Sequence, residues 1–279
     1  MFNADQAAGL RRLFSRKQLR SIIIGGAGKG KANIVANLAG AMAAKGDRVM
    51  VIDGSHGEIG NLFGLRLRYE LNHILDGDKT LYETLHKCHN GIHLLPAAKG
   101  LTQLSHLDVT QARRLQNAFA QWREPVDTVL INAREKTCSG VIAALQRKAT
   151  ILMVVFESID SITAAYSEIK NLNQQHDIDE FNIIIGSQKD IHMSTSIFLN
   201  LSDAARRYLS VNLHLKAIVP AGAMISKDFA SMNEESLFYQ PPISLSRPFR
   251  ELALEIDKWL PPSSIGCSNR KEITHASVC

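Results

Sequence analysis

A glycine-rich run, residues 25–32 (GGAGKGKA), follows the first apolar segment of the chain and fits the pattern G-x-x-x-x-G-K. Glycines let backbone N–H groups converge at the start of a helix, where they form a nest for phosphate oxygens. Lys31 is expected to reach the outer phosphates of a nucleotide, whereas Ala32 stands where a hydroxyl normally binds Mg²⁺. The run therefore predicts a phosphate-binding loop without its metal ligand. The alternative is a glycine-rich turn with no ligand.

Strands and helices alternate around this loop. Apolar β-branched runs at 21–24 and 49–52 flank a helical pattern at 33–45, which indicates a βαβ unit with parallel strands. We predict an α/β fold of the P-loop NTPase type, a doubly wound, mostly parallel sheet with helices on both faces. Further predicted strands are 93–95, 128–131, 151–155, 183–185 and 215–218, and further predicted helices are 5–14, 110–121, 161–174, 196–208 and 249–260.

The composition is that of an ordinary globular chain. It has 279 residues, 45% of them hydrophobic and 21% charged, and the mean hydropathy is -0.06. The first residues lack the apolar core of a signal peptide, and no apolar run approaches the roughly 20 residues that span a bilayer. We therefore expect a cytoplasmic protein that is not integral to a membrane.

The cysteines and histidines do not form a recognisable site. None of the four cysteines belongs to a C-x-x-C pair, which favours a reducing compartment over a disulfide framework. A cluster of histidines and one cysteine matches no zinc spacing, so no metal is predicted. The cluster is His86, Cys88, His89 and His93, and the other cysteines are Cys138, Cys267 and Cys279.

The segment from Gly25 to Asp53 resembles the deviant Walker A motif, helix and strand of MinD/ParA ATPases. Within that family it resembles the FlhG group of flagellar-number regulators, also called FleN or YlxH. Residues 5–12 (DQAAGLRR) match the group's DQAxxLR activation motif, and residues 91–107 and 162–172 match two later segments. The resemblance implies that ATP or ADP binds at this loop. The nucleotide-binding residues that it implies are Gly25, Gly28, Lys29, Gly30, Lys31, Ala32 and Asp53.

The chain departs from the family at several positions that carry chemistry. These positions are the family's dimer-bridging lysine, Mg²⁺-binding threonine, switch aspartate, Walker B aspartate and adenine-recognising asparagine. Together the losses leave Mg²⁺ without protein anchors and predict a pseudo-ATPase. The alternatives are an active or ATP-binding MinD-type ATPase with a rearranged Mg²⁺ site, and a MinD-like accessory of another envelope machine. The residues at these degenerate positions are Gly26 for the bridging lysine, Ala32 for the Mg²⁺-binding threonine, Ser55 for the switch aspartate, Asn132 for the Walker B aspartate and Gly186 for the adenine-recognising asparagine.

The net charge of +5 is concentrated at the start of the chain. Residues 1–31 hold seven basic side chains and one acidic one, whereas residues 32–279 hold 25 basic and 26 acidic ones. The resemblance implies that this arm binds and stimulates FlhF, an SRP-type GTPase. A solvated basic arm is the alternative, and direct DNA binding is not favoured, since the basic residues lie in one short arm. The predicted partner-binding residues are Asp5, Gln6, Ala7, Leu10, Arg11 and Arg12.

The last predicted helix, 249–260, has one apolar face and a polar face richer in acidic than in basic residues. Interfacial helices prefer a basic polar face, so we expect this helix to pack into the core, with weak or no membrane contact. We divide the chain into a motif and linker at 1–20, a MinD/ParA-like domain at 21–260 and a disordered tail at 261–279. The resemblance further implies a flagellar master transcription factor and C-ring components as partners and recruitment to the pole or membrane. Loss of the ATP bridge predicts a monomer or a nucleotide-independent dimer.

Overall fold

The computed structural model describes residues 19–88, 91–145, 149–187, 191–223 and 246–259. Within these ranges the chain folds into one twisted sheet covered by helices on both faces. The predicted helix at 5–14 and the predicted tail at 261–279 lie outside the described residues. The described strands are β1 (Arg20–Gly25), β2 (Val49–Asp53), β3 (His86–Lys87), β4 (Ile92–Pro96), β5 (Thr128–Asn132), β6 (Thr150–Phe156), β7 (Glu180–Ser187) and β8 (Asn212–Pro220).

The described part of the sheet has the strand order β3-β4-β2-β5-β1-β6-β7-β8. Every neighbouring pair is parallel except β3 and β4, which are antiparallel. The fold class predicted from the sequence is confirmed. The described α-helices are α1 (Lys31–Ala44), α2 (Glu58–Leu62), α3 (Leu71–Asp76), α4 (Leu81–Thr84), α5 (Ala98–Gln103), α6 (Val109–Gln121), α7 (Cys138–Leu145), α8 (Ile159–His176), α9 (Ile191–Leu209) and α10 (Arg247–Ile256).

Helices on both faces explain why the central strands are apolar at every position. In β1, Ile23 packs into the core on one face, whereas Ile22 and Ile24 pack into the core on the other. Successive strand residues point to opposite faces, so a strand buried on both sides loses the alternation of polar and apolar residues. This is the local reason that the strands were predictable.

All seven predicted strands are present, each one to five residues longer than predicted. The two-residue strand β3 was not predicted, nor were α2, α3, α4, α5 and α7, all of eight residues or fewer. Such short segments carry too few residues to display a helical period. Helix α9 starts five residues before the predicted position 196 and runs from Ile191 to Leu209.

Helix α10 packs against α1, as predicted for the last helix of the domain. Its apolar side chains Phe249, Leu252, Ala253 and Ile256 are all at most 1% exposed and belong to the core on the α1 face. The Lys45 ammonium donates to the Ala253 carbonyl at 3.1 Å and to Asp257 at 2.6 Å, which joins the two helix ends. Among the described residues, no helix is both long enough and apolar enough to cross a bilayer.

Candidate functional site

Three strand ends bring the predicted loop and its polar neighbours together. Strand β5 lies between β1 and β2, with Asn132 in register with both Ile24 and Asp53. Parallel strands share their carboxyl edge, so the loop after β1 and the side chains of Asp53 and Asn132 meet at that edge. Gly186, at the end of β7, is separated from β1 by the single strand β6.

The loop between β1 and α1 depends on its glycines. Gly26 and Gly28 have φ angles of 91° and 137°, in the region that L side chains rarely adopt. A Cβ atom on Gly26 would lie 2.1 Å from the carbonyl oxygen of Val154. This backbone therefore has no room for the family's bridging lysine at position 26.

Two side chains of α8 form hydrogen bonds with the backbone of the loop. The Gly26 N–H donates to Glu168 Oε2 at 2.8 Å, and the Ser161 hydroxyl donates to the Ala27 carbonyl at 2.5 Å. Glu168 is only 6% exposed, and its Oε1 has no hydrogen-bond partner among the described residues. The Glu168 carboxylate thus already accepts a hydrogen bond from one N–H group of the loop that is predicted to bind phosphate.

Lys31 is buried at the start of α1. Its Nζ donates to the carbonyl of Ala133, just beyond the end of β5. Desolvation lowers the pKa of Lys31, although nearby acidic groups including Glu168 and Asp53 oppose that shift. The sequence placed this ammonium at the outer phosphates, whereas here it satisfies a backbone carbonyl inside the protein.

Asp53 is held by the two residues that replace family carboxylates. The Asn132 amide donates to Asp53 Oδ1 at 2.8 Å, and the Ser55 N–H donates to the same oxygen at 2.8 Å. The Ser55 hydroxyl donates to Oδ2 at 2.7 Å. Asp53 is fully buried, and desolvation raises its pKa despite these hydrogen bonds. Donors therefore surround the remaining carboxylate at the positions where the family has acidic groups.

The donor set at this edge does not fit Mg²⁺. The ion prefers oxygen ligands, usually carboxylates and hydroxyls held together with substrate phosphates. Here Asn132 turns an NH₂ group to Asp53, and Ala32 supplies only a buried methyl group. In the part of the chain that the structure describes, no group of three histidine, cysteine or acidic residues is placed to bind a metal ion.

The Phe156 ring lies between the loop and the predicted adenine position. A Cβ atom on Gly28 would lie 2.5 Å from this ring, and one on Gly186 would lie 2.3 Å from it. An asparagine at position 186 would therefore require the ring to move. The absence of a side chain at both Gly28 and Gly186 therefore makes room for one aromatic ring.

Sequence reasoning missed three residues of the site, namely Glu168, Phe156 and Ser161. One signal was available for Glu168, because it falls on the same helical face as Ala165, Ile169 and Leu172, all of which are buried. An acid on an apolar helix face is uncommon and indicates a specific partner. Phe156 gave no signal of its own, because its sequence reads as the end of a buried strand. The six predicted partner-binding residues between Asp5 and Arg12 lie outside the described residues.

Solved structures show which known fold this chain has. MinD in the MinC:MinD cell division complex of Aquifex aeolicus aligns with a TM-score of 0.60 and 21% identity, covering 87% of this chain and 97% of that one. MinD of Pyrococcus horikoshii complexed with Mg-ADP aligns with a TM-score of 0.55 and 17% identity, covering 86% and 96%. The chain has the fold of MinD/ParA-type P-loop ATPases.

Two curated flagellar proteins are similar to this chain over most of its length. The antiactivator FleN of Pseudomonas aeruginosa is 27% identical over 251 residues, which cover 88% of this chain and 89% of FleN. The flagellum site-determining protein YlxH of Helicobacter pylori is 23% identical over 210 residues, covering 74% and 71%. No family model matches the chain. The chain is therefore similar in sequence to FleN and YlxH and has the fold of MinD/ParA-type ATPases.

Proposed function

We propose that this chain is a regulator of flagellar number and placement that acts through protein contacts and does not hydrolyse ATP. Similarity to an antiactivator and to a flagellum site-determining protein over most of the chain supports the flagellar role. The loss of hydrolysis is inferred from one cluster, in which Asn132 and Ser55 donate hydrogen bonds to Asp53.

This cluster bears on hydrolysis because phosphoryl transfer at such sites consists mostly of positioning and charge neutralisation. Mg²⁺ bridges the outer phosphates, and carboxylate and hydroxyl groups of the protein hold the ion and the attacking water. Ala32, Ser55 and Asn132 remove those groups, and the backbone at Gly26 has no room for the bridging lysine. The three side-chain losses and the lost lysine act on one step, so turnover is expected to be absent or negligible.

Nucleotide binding without Mg²⁺ is the finer part of the proposal. The start of α1 has no side-chain cap, and uncapped N–H groups at a helix N-terminus can bind an anion. A structural neighbour, a putative plasmid partition protein of Borrelia burgdorferi, was solved bound to AMPPNP. We propose that ATP or ADP binds weakly at this loop and that Mg²⁺ does not change the affinity.

A phosphate-release assay tests the loss of hydrolysis. The full chain is incubated with ATP and Mg²⁺, and an active MinD run in parallel sets the sensitivity. We expect release at the level of the protein-free blank for the wild type and for Lys31→Ala. Release that exceeds the blank and disappears in Lys31→Ala would show an ATPase with a rearranged metal site instead.

Calorimetric titration of ATP and ADP, with and without Mg²⁺, tests the binding proposal separately. We expect weak binding that is unchanged by the metal. Tightening of ATP binding by an order of magnitude or more in Mg²⁺ would contradict it.

The N-terminal motif is proposed to bind an FlhF-type GTPase and stimulate its hydrolysis. Glutamine and arginine are suited to orienting water and stabilising charge in phosphoryl transfer, and Gln6 and Arg11 supply both. GTP turnover of FlhF is measured with the wild-type chain, with Gln6→Ala and Arg11→Ala, and with a chain lacking residues 1–15. We expect stimulation that the variants reduce and the deletion abolishes.

Lys17→Ala is the matched control for that assay, because it removes a basic residue of the arm outside the motif. If Lys17→Ala and Arg11→Ala lost the same amount of GTPase stimulation, the effect would come from the charge of the arm and not from the motif. The cellular role is tested by counting flagella by electron microscopy in a deletion strain that is complemented by the same variants. The flagellar master transcription factor and C-ring components are the further partners that the resemblance implies.

A further inference from the structure

Three buried charged side chains lie at the glycine-rich loop. They are Lys31, Asp53 and Glu168, which are 9%, 0% and 6% exposed. In the part of the chain that the structure describes, no other aspartate, glutamate, lysine or arginine is buried. Burying a charge costs free energy unless its partners offset that cost, so charges buried together at one place indicate a specific role. The proposed function uses Lys31 and Asp53 and leaves Glu168 without a role.

Glu168 bonds to the backbone at the base of the loop. Its Oε2 accepts the Gly26 N–H at 2.8 Å, whereas its Oε1 is buried without a partner among the described residues. Burial and the neighbouring Glu168 carboxylate hold the pKa of the Cys138 thiol well above its ordinary value, so this thiol adds no charge. A carboxylate can accept several hydrogen bonds, so much of the charge of Glu168 is left uncompensated.

Lys31 does not neutralise this carboxylate directly. Its Nζ donates to the carbonyl of Ala133, and within the described ranges it forms no ion pair with Glu168 or Asp53. Both acids favour its charged form only through space. One ammonium therefore faces two carboxyl groups, which leaves one formal negative charge in excess beside the loop.

The excess charge is close enough to affect an anion bound by the loop. Gly28 follows Gly26 by two residues, so its N–H lies within about 10 Å of the Glu168 carboxylate. Two unit charges about 10 Å apart near a protein surface interact strongly enough to change a binding constant about tenfold. A phosphate group held by the loop is therefore repelled by Glu168.

We propose that Glu168 sets the affinity of the loop for phosphate, because it holds the loop through Gly26 while its charge opposes a bound anion. This inference rests on the proposed binding of ATP or ADP at this loop, and it gives the reason why that binding is weak. Glutamine at position 168 keeps a carbonyl oxygen for the Gly26 N–H but removes the charge. The charges of Lys31 and Asp53 are then balanced, so the loop is expected to bind phosphate more tightly.

Calorimetric titration of ATP without Mg²⁺ compares the full wild-type chain with Glu168→Gln. We expect the variant to bind ATP at least fivefold more tightly. A residue that only supports the loop would weaken binding or leave it unchanged when altered, so the sign of the effect separates the two roles. A Kd within twofold of the wild-type value, or weaker binding, would overturn the proposal.

Glu180→Gln is the matched control, because it makes the same substitution at an exposed position. Glu180 begins the eight-residue strand β7, so it lies about 20 Å or more from the edge of the sheet that bears the loop. That distance exceeds the Debye length of about 8 Å at physiological ionic strength. We expect less than a twofold change in Kd. Tightening equal to that of Glu168→Gln would show a general effect of net charge and would contradict the proposal.

Glu168→Met separates the charge from the hydrogen bond and keeps the test valid if the glutamine variant does not fold. Apolar residues of similar volume usually replace buried charges without loss of stability, and circular dichroism checks the fold of each variant. We expect ATP to bind at least twofold more tightly than to the wild type. Without nucleotide, amide hydrogen exchange of the peptide 22–33 should be faster than in the wild type, because the Gly26 N–H loses its acceptor. Unchanged exchange would show that Glu168 does not hold the loop.

The outcomes for this proposal and for the proposed function are distinguishable. ATP binding by the wild type that both variants leave unchanged overturns the role of Glu168 alone. Binding that is measurable only in the variants supports that role. Absence of ATP binding in all three chains overturns this proposal together with the proposed binding of nucleotide, whereas the flagellar role is unaffected.

Discussion

Asp53 accepts hydrogen bonds from protein groups at the strand end where a MinD-type site binds its metal ion. In a MinD-type site its neighbours are acidic, and the shared ion neutralises them. Here the neighbours are Asn132 and Ser55, whose donors satisfy the carboxylate directly. These donors take the place of the metal ion as partners of the buried carboxylate, and this replacement is the physical basis of the pseudo-ATPase proposal.

Restoring the family aspartate should destabilise the protein. In Asn132→Asp two buried carboxylates face each other, which raises the pKa of the pair. We expect a loss of about 3 kcal/mol in the free energy of unfolding at pH 8, equivalent to about two pKa units, and a smaller loss at pH 5. Urea denaturation at both pH values measures this. Asn61→Asp, on an exposed position of α2, should change stability by less than about 0.5 kcal/mol.

Asp53 itself should give the stability a pH dependence. Because burial raises its pKa, the folded state binds this proton more tightly than the unfolded chain does. The stabilisation that protonated Asp53 contributes is complete below its ordinary pKa of 3.8. It is lost as pH rises through the raised pKa of the folded state. Stability should therefore fall as pH rises above 3.8, and Asp53→Asn should remove that component. Equal slopes in urea titrations of wild type and variant, from pH 4 to 7, would refute this.

Gly26→Lys should not restore activity, because its backbone excludes a side chain. A Cβ atom at this position meets the Val154 carbonyl, so we expect a loss of several kcal/mol or no folded protein. Gly46 is the matched control, since it also has a positive φ of 106° but no atom within 4 Å of its Cβ position. Gly46→Lys should cost about 1 kcal/mol. Thermal melting of both variants separates the two effects, because both introduce backbone strain at a positive φ and only Gly26→Lys adds the clash with Val154.

At the scale of elements, helix α8 links the loop to the rest of the molecule. Its side chains Ser161 and Glu168 bond to the loop, whereas Ala165 and Ile169 pack into the core. The helical period of residues 161–174 was readable in the sequence. The fact that two of its polar residues serve the loop was not, because neither the strand order nor the loop conformation follows from periodicity.

Helix α10 completes the core on the other face of the sheet. Removing the ring of Phe249, which is fully buried, should cost about 3–5 kcal/mol of unfolding free energy. Leu254 lies on the same helix and is 57% exposed, so Leu254→Ala should cost less than about 0.5 kcal/mol. Guanidinium denaturation of the two variants compares them. Similar losses would mean that α10 is not docked on α1 as described.

At the scale of the whole molecule, the proposed loss of ATP hydrolysis has a consequence for assembly. Because Gly26 stands in place of the bridging lysine, we propose that nucleotide does not join two copies in the way that the family resemblance implies. We expect the same mass by light scattering with no nucleotide, with ADP and with ATP, at both low and physiological salt. An ATP-dependent doubling of mass would contradict the pseudo-ATPase proposal at this scale.

The sequence by itself determined the fold class, the seven long strands and the position of the glycine-rich loop. These features are local, since buried strands and glycine-rich turns are specified by residues next to each other in the chain. Only the tertiary structure decided that Lys31 bonds to Ala133, that Asn132 bonds to Asp53 and that Glu168 bonds to Gly26. The partners of these contacts are 102, 79 and 142 residues apart, and strand order, which no local pattern encodes, brings them together.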